Sequence, residues 1–224
     1  MGRSAATVPA LRRSLLLPTA AAVAFLVLTL LVAAGAARRA DQFAVSHAMP
    51  WLAPGSSRTR LSDLTLPPVN HSLGETLVAL WTYPAAFVPS LLIVACGALV
   101  LYRRGRTRLA IGLLAAWLVG NAMEGLGKAG VTRPALYQGS VHIAGFDDSF
   151  PSGHALRAFV LAAALAYAWP RLTRYLVAWV LGVAVALVVL GDHAPSDVVG
   201  GLLVALALVA GADALGRQSL SADS

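Results

Sequence analysis

The sequence has little charge and a single cysteine. Only 12% of its 224 residues are charged, and the lone cysteine excludes a disulfide within the chain. Neither a Gly-x-x-x-x-Gly-Lys phosphate loop nor a Gly-x-Ser-x-Gly elbow is present, which argues against a nucleotide-driven motor and a serine hydrolase. Because 58% of the residues are hydrophobic, more than a soluble domain can hide, the composition indicates a membrane protein.

Six apolar segments approach or reach the length that a membrane-spanning helix needs, about 20 residues. They lie at 15–37, 77–102, 108–126, 153–168, 172–190 and 197–215. The sequence therefore predicts an all-α integral membrane bundle of six transmembrane helices, forming one domain over residues 15–216. We expect Pro84 and Pro89 to kink the second helix. Small residues at 33–37 also resemble a signal-peptide cleavage site, but the apolar stretch is long for a signal, which favours a retained helix.

Arginine provides nearly all of the positive charge, and its distribution predicts the topology. The net charge is +7, and ten of the sixteen arginines lie before the first segment, at 103–108, at 171–174 or after the sixth segment. Arginine-rich links face the cytoplasm. We expect a multi-pass protein of the cell membrane with a cytoplasmic N-terminal segment (1–14), a cytoplasmic tail (217–224) and no nucleic-acid partner. The remaining links, which carry the histidines discussed next, then face outward.

His193 is the first candidate for a catalytic residue. Histidine exchanges protons near neutral pH and can attack phosphorus as a nucleophile. Asp197 follows four residues later, and a hydrogen bond to its carboxylate would fix the ring tautomer and leave the other nitrogen free to attack. Ser196 is a candidate N-cap of the sixth helix, so this pair can also span a turn, and the spacing alone does not establish the contact.

His154 ends a Pro-Ser-Gly-His string that opens the fourth segment. Ser152 can cap the helix or bind a phosphate oxygen, and Gly153 lets the backbone approach a ligand. The free amides of a first helical turn attract anions, and His154 could protonate a leaving oxygen. An ordinary capped helix start with an incidental histidine is the alternative.

Three cations lie close to these motifs in the sequence. Lys128 and Arg133 would neutralise phosphate, although either could simply anchor the chain at lipid headgroups. Glu124, one turn before Lys128, either pairs with it or positions it. Arg157 lies inside a predicted span, where its charge must be compensated by a phosphate or by a carboxylate such as Asp197 or Glu124. No close metal-ligand spacing occurs, so neither metal nor cofactor is expected.

These motifs resemble the type 2 phosphatidic acid phosphatase superfamily of membrane lipid phosphatases. That family combines a lysine and Arg-Pro, then Pro-Ser-Gly-His, then Ser-Arg with a downstream His-x-x-x-Asp, and the resemblance covers residues 128–201. It implies that His193 is the nucleophile and forms a phosphohistidine. It further implies that Asp197 orients His193 and that His154 protonates the leaving group. The resemblance assigns the phosphoryl oxygens to Lys128, Arg133, Ser152 and Gly153.

The chain departs from the family pattern twice. Four residues, where six are usual, separate Lys128 from Arg133, and Ala-Leu replaces Ser-Arg at 186–187. Our hypothesis is that Arg157 substitutes for the missing arginine.

The resemblance implies metal-independent hydrolysis of a lipid phosphate or diphosphate at the outer face. A polyprenyl phosphate or diphosphate is the leading substrate class, and phosphatidic acid or phosphatidylglycerol phosphate comes next. A non-catalytic binder or transporter of lipid phosphates is the alternative. Vanadate-dependent halide oxidation, which related folds perform, fits a membrane-embedded chain poorly.

Overall fold

The computed structural model describes residues 7–50, 52 and 73–220, and these residues form an α-helical bundle that confirms the predicted fold class. Its helices are α1 (Thr7–Ala33), α2 (Arg38–His47), α3 (Leu73–Thr82), α4 (Phe87–Arg103), α5 (Thr107–Gly130), α6 (Gly153–Ala168), α7 (Thr173–Val189) and α8 (Pro195–Leu220). A small antiparallel hairpin joins β1 (Tyr137–Gln138) to β2 (Val141–His142), with Tyr137 opposite His142.

The described helices support a multi-pass membrane protein, although the predicted count of six spans is not confirmed. Four helices are long and apolar enough to cross a membrane, namely those in 15–33, 107–130, 170–189 and 195–217. The pair of α3 and α4, which bends by 47°, makes a fifth span if its two helices cross the membrane as one. With 16 residues, α6 is a shorter apolar helix. Large apolar side chains such as Leu30 and Leu181 are exposed, as a lipid-facing surface requires.

Helix ends differ from the predicted bounds for local reasons. The predicted segment 77–102 is interrupted by a 3-10 turn, Tyr83–Ala85, and the break therefore falls at Pro84. Pro89 lies in the first turn of α4, where its missing amide costs no helical hydrogen bond. Since Gly35 has a positive φ of 75°, α1 ends earlier than predicted. Residues 1–6 and 221–224 of the predicted terminal segments lie outside the described residues.

The central element of the bundle is α6, which packs against α4, α5, α7 and α8. A helix that is buried on most of its faces must be apolar nearly all round, and α6 is rich in alanine and leucine. The helix α2 lies over the end of the bundle at which α6 and α8 begin. A small apolar cluster holds α2 there, in which Val45 packs with Leu136, Phe146 and Ala194.

Close packing of α8 on the start of α6 depends on Gly201. A Cβ there would collide with the Ser152 carbonyl oxygen, whereas Gly211, in the same helix, has open space around it. We expect Gly201→Ala to destabilise the fold by roughly 1–3 kcal/mol, because the backbone would have to shift. Thermal unfolding in detergent measures the effect, with Gly211→Ala as the control. Equal midpoints for the two variants would contradict this packing.

Candidate active site

The first turns of α6 and α8 lie side by side. The Ser152 amide donates a hydrogen bond to the Asp197 carbonyl at 2.9 Å. Ser152 is also the N-cap of α6, because its Oγ accepts from the Ala155 amide at 3.3 Å, as predicted. A Cβ on residue 153 would overlap the Glu124 carboxylate, so only glycine lets that carboxylate lie so close to the start of α6. Two helix N-termini, which favour anions, therefore meet at one end of the bundle.

His193 lies on the turn that links α7 to α8. Gly191, with a φ of 73°, lets the chain reverse, and the His193 amide donates to the Leu187 carbonyl. The ring Nδ1 is 3.7 Å from Asp197 Oδ2, beyond hydrogen-bond distance, and it has no hydrogen-bond partner within the described part of the chain. Because α8 begins at Pro195, the His193–Asp197 pair spans a turn and does not share one continuous helix.

The Asp197 carboxylate is fully buried and is held by three donors. Oδ1 accepts from Arg133 Nη1 at 2.8 Å. Oδ2 accepts from Ser149 Oγ at 2.6 Å and from the Ala194 amide at 2.9 Å. The last bond is half of a capping box, in which an acidic side chain in the first turn reaches back to the amide preceding the helix. The orientation of Asp197 next to His193 is therefore fixed by its surroundings.

Both terminal nitrogens of the Arg133 guanidinium donate hydrogen bonds to other groups of the protein. Nη1 contacts Asp197 and, at 3.4 Å, Ser149 Oγ, while Nη2 donates to Ser196 Oγ at 2.6 Å and to the Asp41 carboxylate. The side chain is only 3% exposed. The sequence prediction that Arg133 holds phosphate stays a prediction. In the structure its charge lies between two carboxylates, behind the turn that carries His193.

Asp41 is a site residue that the sequence analysis missed. It lies on α2, 92 positions before Arg133, and is 1% exposed. Besides Arg133, it binds the Ser196 amide at 3.0 Å and the Ser196 hydroxyl at 2.8 Å. Burial raises the pKa of Asp41, with a contribution from Asp197, while Arg133 and the Ser196 bonds act in the opposite direction. The sequence offers no signal for it beyond an acidic residue just after the first apolar segment.

Arg157 forms an ion pair with Glu124. The sequence allowed either a phosphate or a carboxylate as the partner of this charge, and the structure places a carboxylate there. Arg157 Nη1 donates to Glu124 Oε2 at 2.8 Å and to Asn121 Oδ1 at 2.9 Å, and its Nε donates to the Ala85 carbonyl. Its Nη2 lies 3.5 Å from His154 Nδ1. When this nitrogen accepts, the ring proton of His154 resides on Nε2. Arg157 therefore adjoins the general-acid candidate.

Lys128 completes this second charged group. Its ammonium is 2.5 Å from Glu124 Oε1, so that one buried carboxylate lies between two cations. The Lys128 side chain is 32% exposed, whereas that of Arg157 is 2% exposed. His154 adjoins this group through the 3.5 Å contact of its Nδ1 with Arg157 Nη2. Four of the predicted phosphate ligands, Lys128, Ser152, Gly153 and Arg157, thus lie around His154, and the turn that carries His193 adjoins them.

The remaining histidine in this region lies apart from that site. His142, on β2, is exposed and contacts Asp147 at 3.0 Å. Among the residues that the structure describes, no group of three or more histidine, cysteine, aspartate or glutamate side chains could hold a metal ion. The positive charge at the site comes from lysine, arginine and helix N-termini.

Fold and site together define a helical membrane protein with two histidines at adjoining helix N-termini. Residues 126–212 match the family model of the PAP2 superfamily. A similar solved structure is the first transmembrane PAP2 type phosphatidylglycerolphosphate phosphatase from Bacillus subtilis. The two chains are 19% identical with a TM-score of 0.64, over 90% of this chain and 96% of that one. At this identity the likeness concerns the fold. No curated protein matches the sequence.

Proposed function

We propose that this protein is a membrane phosphatase that hydrolyses a lipid phosphate or diphosphate through a phosphohistidine. One observation carries the proposal. The Ser152 amide, two residues before His154, bonds to the Asp197 carbonyl beside the His193 turn, and Arg157 Nη2 lies 3.5 Å from His154 Nδ1. The match of residues 126–212 to the PAP2 superfamily supports the same chemistry. A nucleophile, an acid and cations for a phosphoryl group are the parts that such a transfer needs.

In the first step, the Nε2 lone pair of His193 bonds to phosphorus as the bond to the leaving oxygen breaks. His154 gives that oxygen a proton. In the second step, His154 takes a proton from a water molecule, whose oxygen bonds to phosphorus. The N–P bond then breaks, its electrons return to His193, and orthophosphate leaves. Asp197, 3.7 Å from Nδ1, orients the ring and stabilises the positive charge that it gains.

The proposed phosphate clamp consists of Lys128, Ser152, the Gly153 amide and Arg157. Arg157 replaces the arginine that the family carries before the nucleophile, and its 3.5 Å approach to His154 supports this role. When phosphate binds, Lys128 and Arg157 interact with both the phosphate and the Glu124 carboxylate. We assign Arg133 a role behind His193, because its terminal nitrogens already serve two carboxylates.

We propose that the site opens on the outer face of the membrane. The links with arginine clusters, at 103–108 and 171–174, join the opposite ends of the helices. An outward site suits polyprenyl phosphates and diphosphates first, and phosphatidic acid or phosphatidylglycerol phosphate next.

A panel of these lipids tests the function. We expect the purified protein, in detergent with a metal chelator, to release orthophosphate from at least one of them. A strict requirement for Mg²⁺ would contradict the metal-independent mechanism. If every lipid binds and none is hydrolysed, the protein is a lipid-phosphate binder and the enzymatic proposal is wrong.

A further inference from the structure

We infer that Asp41 is a positioning residue for the nucleophile. The inference rests on the proposed phosphatase function. Asp41 lies outside the segment that matches the family, 126–212, and is carried by a short helix after the first span. Its carboxylate acts on His193 through Arg133 and Asp197, and it does not touch the reacting atoms.

The placement of Asp41 is fixed by packing. The buried residues of α2 are Asp41, Ala44 and Val45, which share one face of the helix. Ala44 and Val45 belong to the apolar cluster with Leu136 and Ala194, the latter being next to His193 in sequence. The carboxylate is therefore held over the turn between α7 and α8.

Asp41 makes two kinds of contact there. The first is structural, since the Ser196 amide belongs to the first turn of α8 and the carboxylate satisfies it at 3.0 Å. An asparagine oxygen at the same place could accept this bond equally well. The second contact is electrostatic, because Arg133 Nη2 donates to Asp41 while Nη1 donates to Asp197. Only the second contact needs a charged residue.

The charge balance behind His193 depends on this second contact. One guanidinium shared by two buried carboxylates leaves a single net negative charge beside the histidine ring. When Nε2 attacks phosphorus, the ring becomes positive, and this charge stabilises it. If Asp41 lost its charge, Arg133 would pair with the carboxylate of Asp197 only, and the net negative charge beside His193 would disappear. The pull of Asp197 on the Nδ1 proton of His193 would then weaken during both chemical steps.

Asp41→Asn tests the inference, because it keeps the acceptor for the Ser196 amide and removes the charge. On the lipid that the wild type hydrolyses fastest, we expect kcat to fall about 10- to 100-fold, as is common when a partner that orients an active-site group is lost. KM should change less than about twofold, since binding is the same in the ground state. Asp41→Glu restores the charge and should recover part of kcat.

Stability separates positioning from a purely structural role. Because burial raises the pKa of Asp41, the folded chain holds this proton more tightly than the unfolded chain. Its contribution to stability is therefore largest at low pH and is lost as the pH rises from 3.8 through the folded pKa. The groups that face it are Arg133, Ser196 and Asp197. Near neutral pH we expect the unfolding temperature of Asp41→Asn to equal or exceed that of the wild type.

Gln42→Ala is the matched control on the same helix. Gln42 ties α2 to the Tyr137 backbone through bonds of 2.6 and 3.0 Å and does not touch the charged group. We expect this variant to keep the wild-type kcat. If Asp41→Asn keeps the wild-type kcat, or loses activity only in proportion to its loss of folded protein, the inference is wrong. If the wild type itself hydrolyses no lipid, the proposed function fails and this inference fails with it.

Discussion

His193→Ala is expected to reduce phosphate release from any lipid substrate by about 10³-fold or more, because it removes the proposed nucleophile. His193 is 8% exposed and lies on a turn, where truncation to alanine leaves the backbone hydrogen bonds in place. The folded protein should therefore survive. Phosphate release in detergent, normalised to folded protein, measures the effect.

His142→Ala is the control for this experiment. His142 is an exposed histidine in an ion pair with Asp147, away from the helix N-termini, and its loss should leave activity unchanged. If His193→Ala retains activity within about tenfold of the wild type, the nucleophile is another group and the mechanism is wrong.

Arg157→Ala is expected to cost roughly 2–4 kcal/mol of transition-state stabilisation, about 30- to 900-fold in kcat, as for the loss of a major electrostatic contact. Arg157→Lys should recover only part of this, because an ammonium cannot reproduce the guanidinium fork. Steady-state hydrolysis of the best lipid in the panel measures both variants. Arg174, an exposed arginine that stacks on Tyr175, is the matched control, and Arg174→Ala should be fully active.

The ion pair with Glu124 offers a competing account, in which Arg157 only neutralises a buried carboxylate. The double variant Arg157→Ala with Glu124→Gln distinguishes the two accounts, because it removes both charges of the pair. If the role is structural, the double variant regains activity that Arg157→Ala loses. In our account it stays impaired. Full activity of Arg157→Ala alongside an inactive His193→Ala would overturn the assignment.

The local features of the site could be predicted from the sequence. Helix starts depend on neighbouring residues, so Ser152 could be recognised as the N-cap of α6, and the structure confirms it. Pro84 predicted the break between α3 and α4 for the same reason. The turn at His193 was one of two possibilities that the sequence left open, and the start of α8 at Pro195, before the predicted N-cap Ser196, decides between them. Such features need no knowledge of how distant segments pack.

The charge pairing could not be predicted, because it depends on tertiary contacts. Asp41 meets Arg133 across 92 positions, and no periodicity links them. Arg157 had two possible kinds of partner, and only the packing of α5 on α6 selects Glu124. The number of spans remained at four or five, since α6 is short and α3 and α4 are separated by a bend.

Trapping of the proposed phosphohistidine tests the central claim most directly. The purified protein is mixed with its best lipid substrate, labelled in the terminal phosphate, quenched within the first turnover and digested under alkaline conditions, where a phosphohistidine is stable. We predict label on the peptide that contains His193, with none on that peptide in His193→Ala. Rapid phosphate release by the wild type without any labelled His193, or label on a serine or aspartate, would contradict the account.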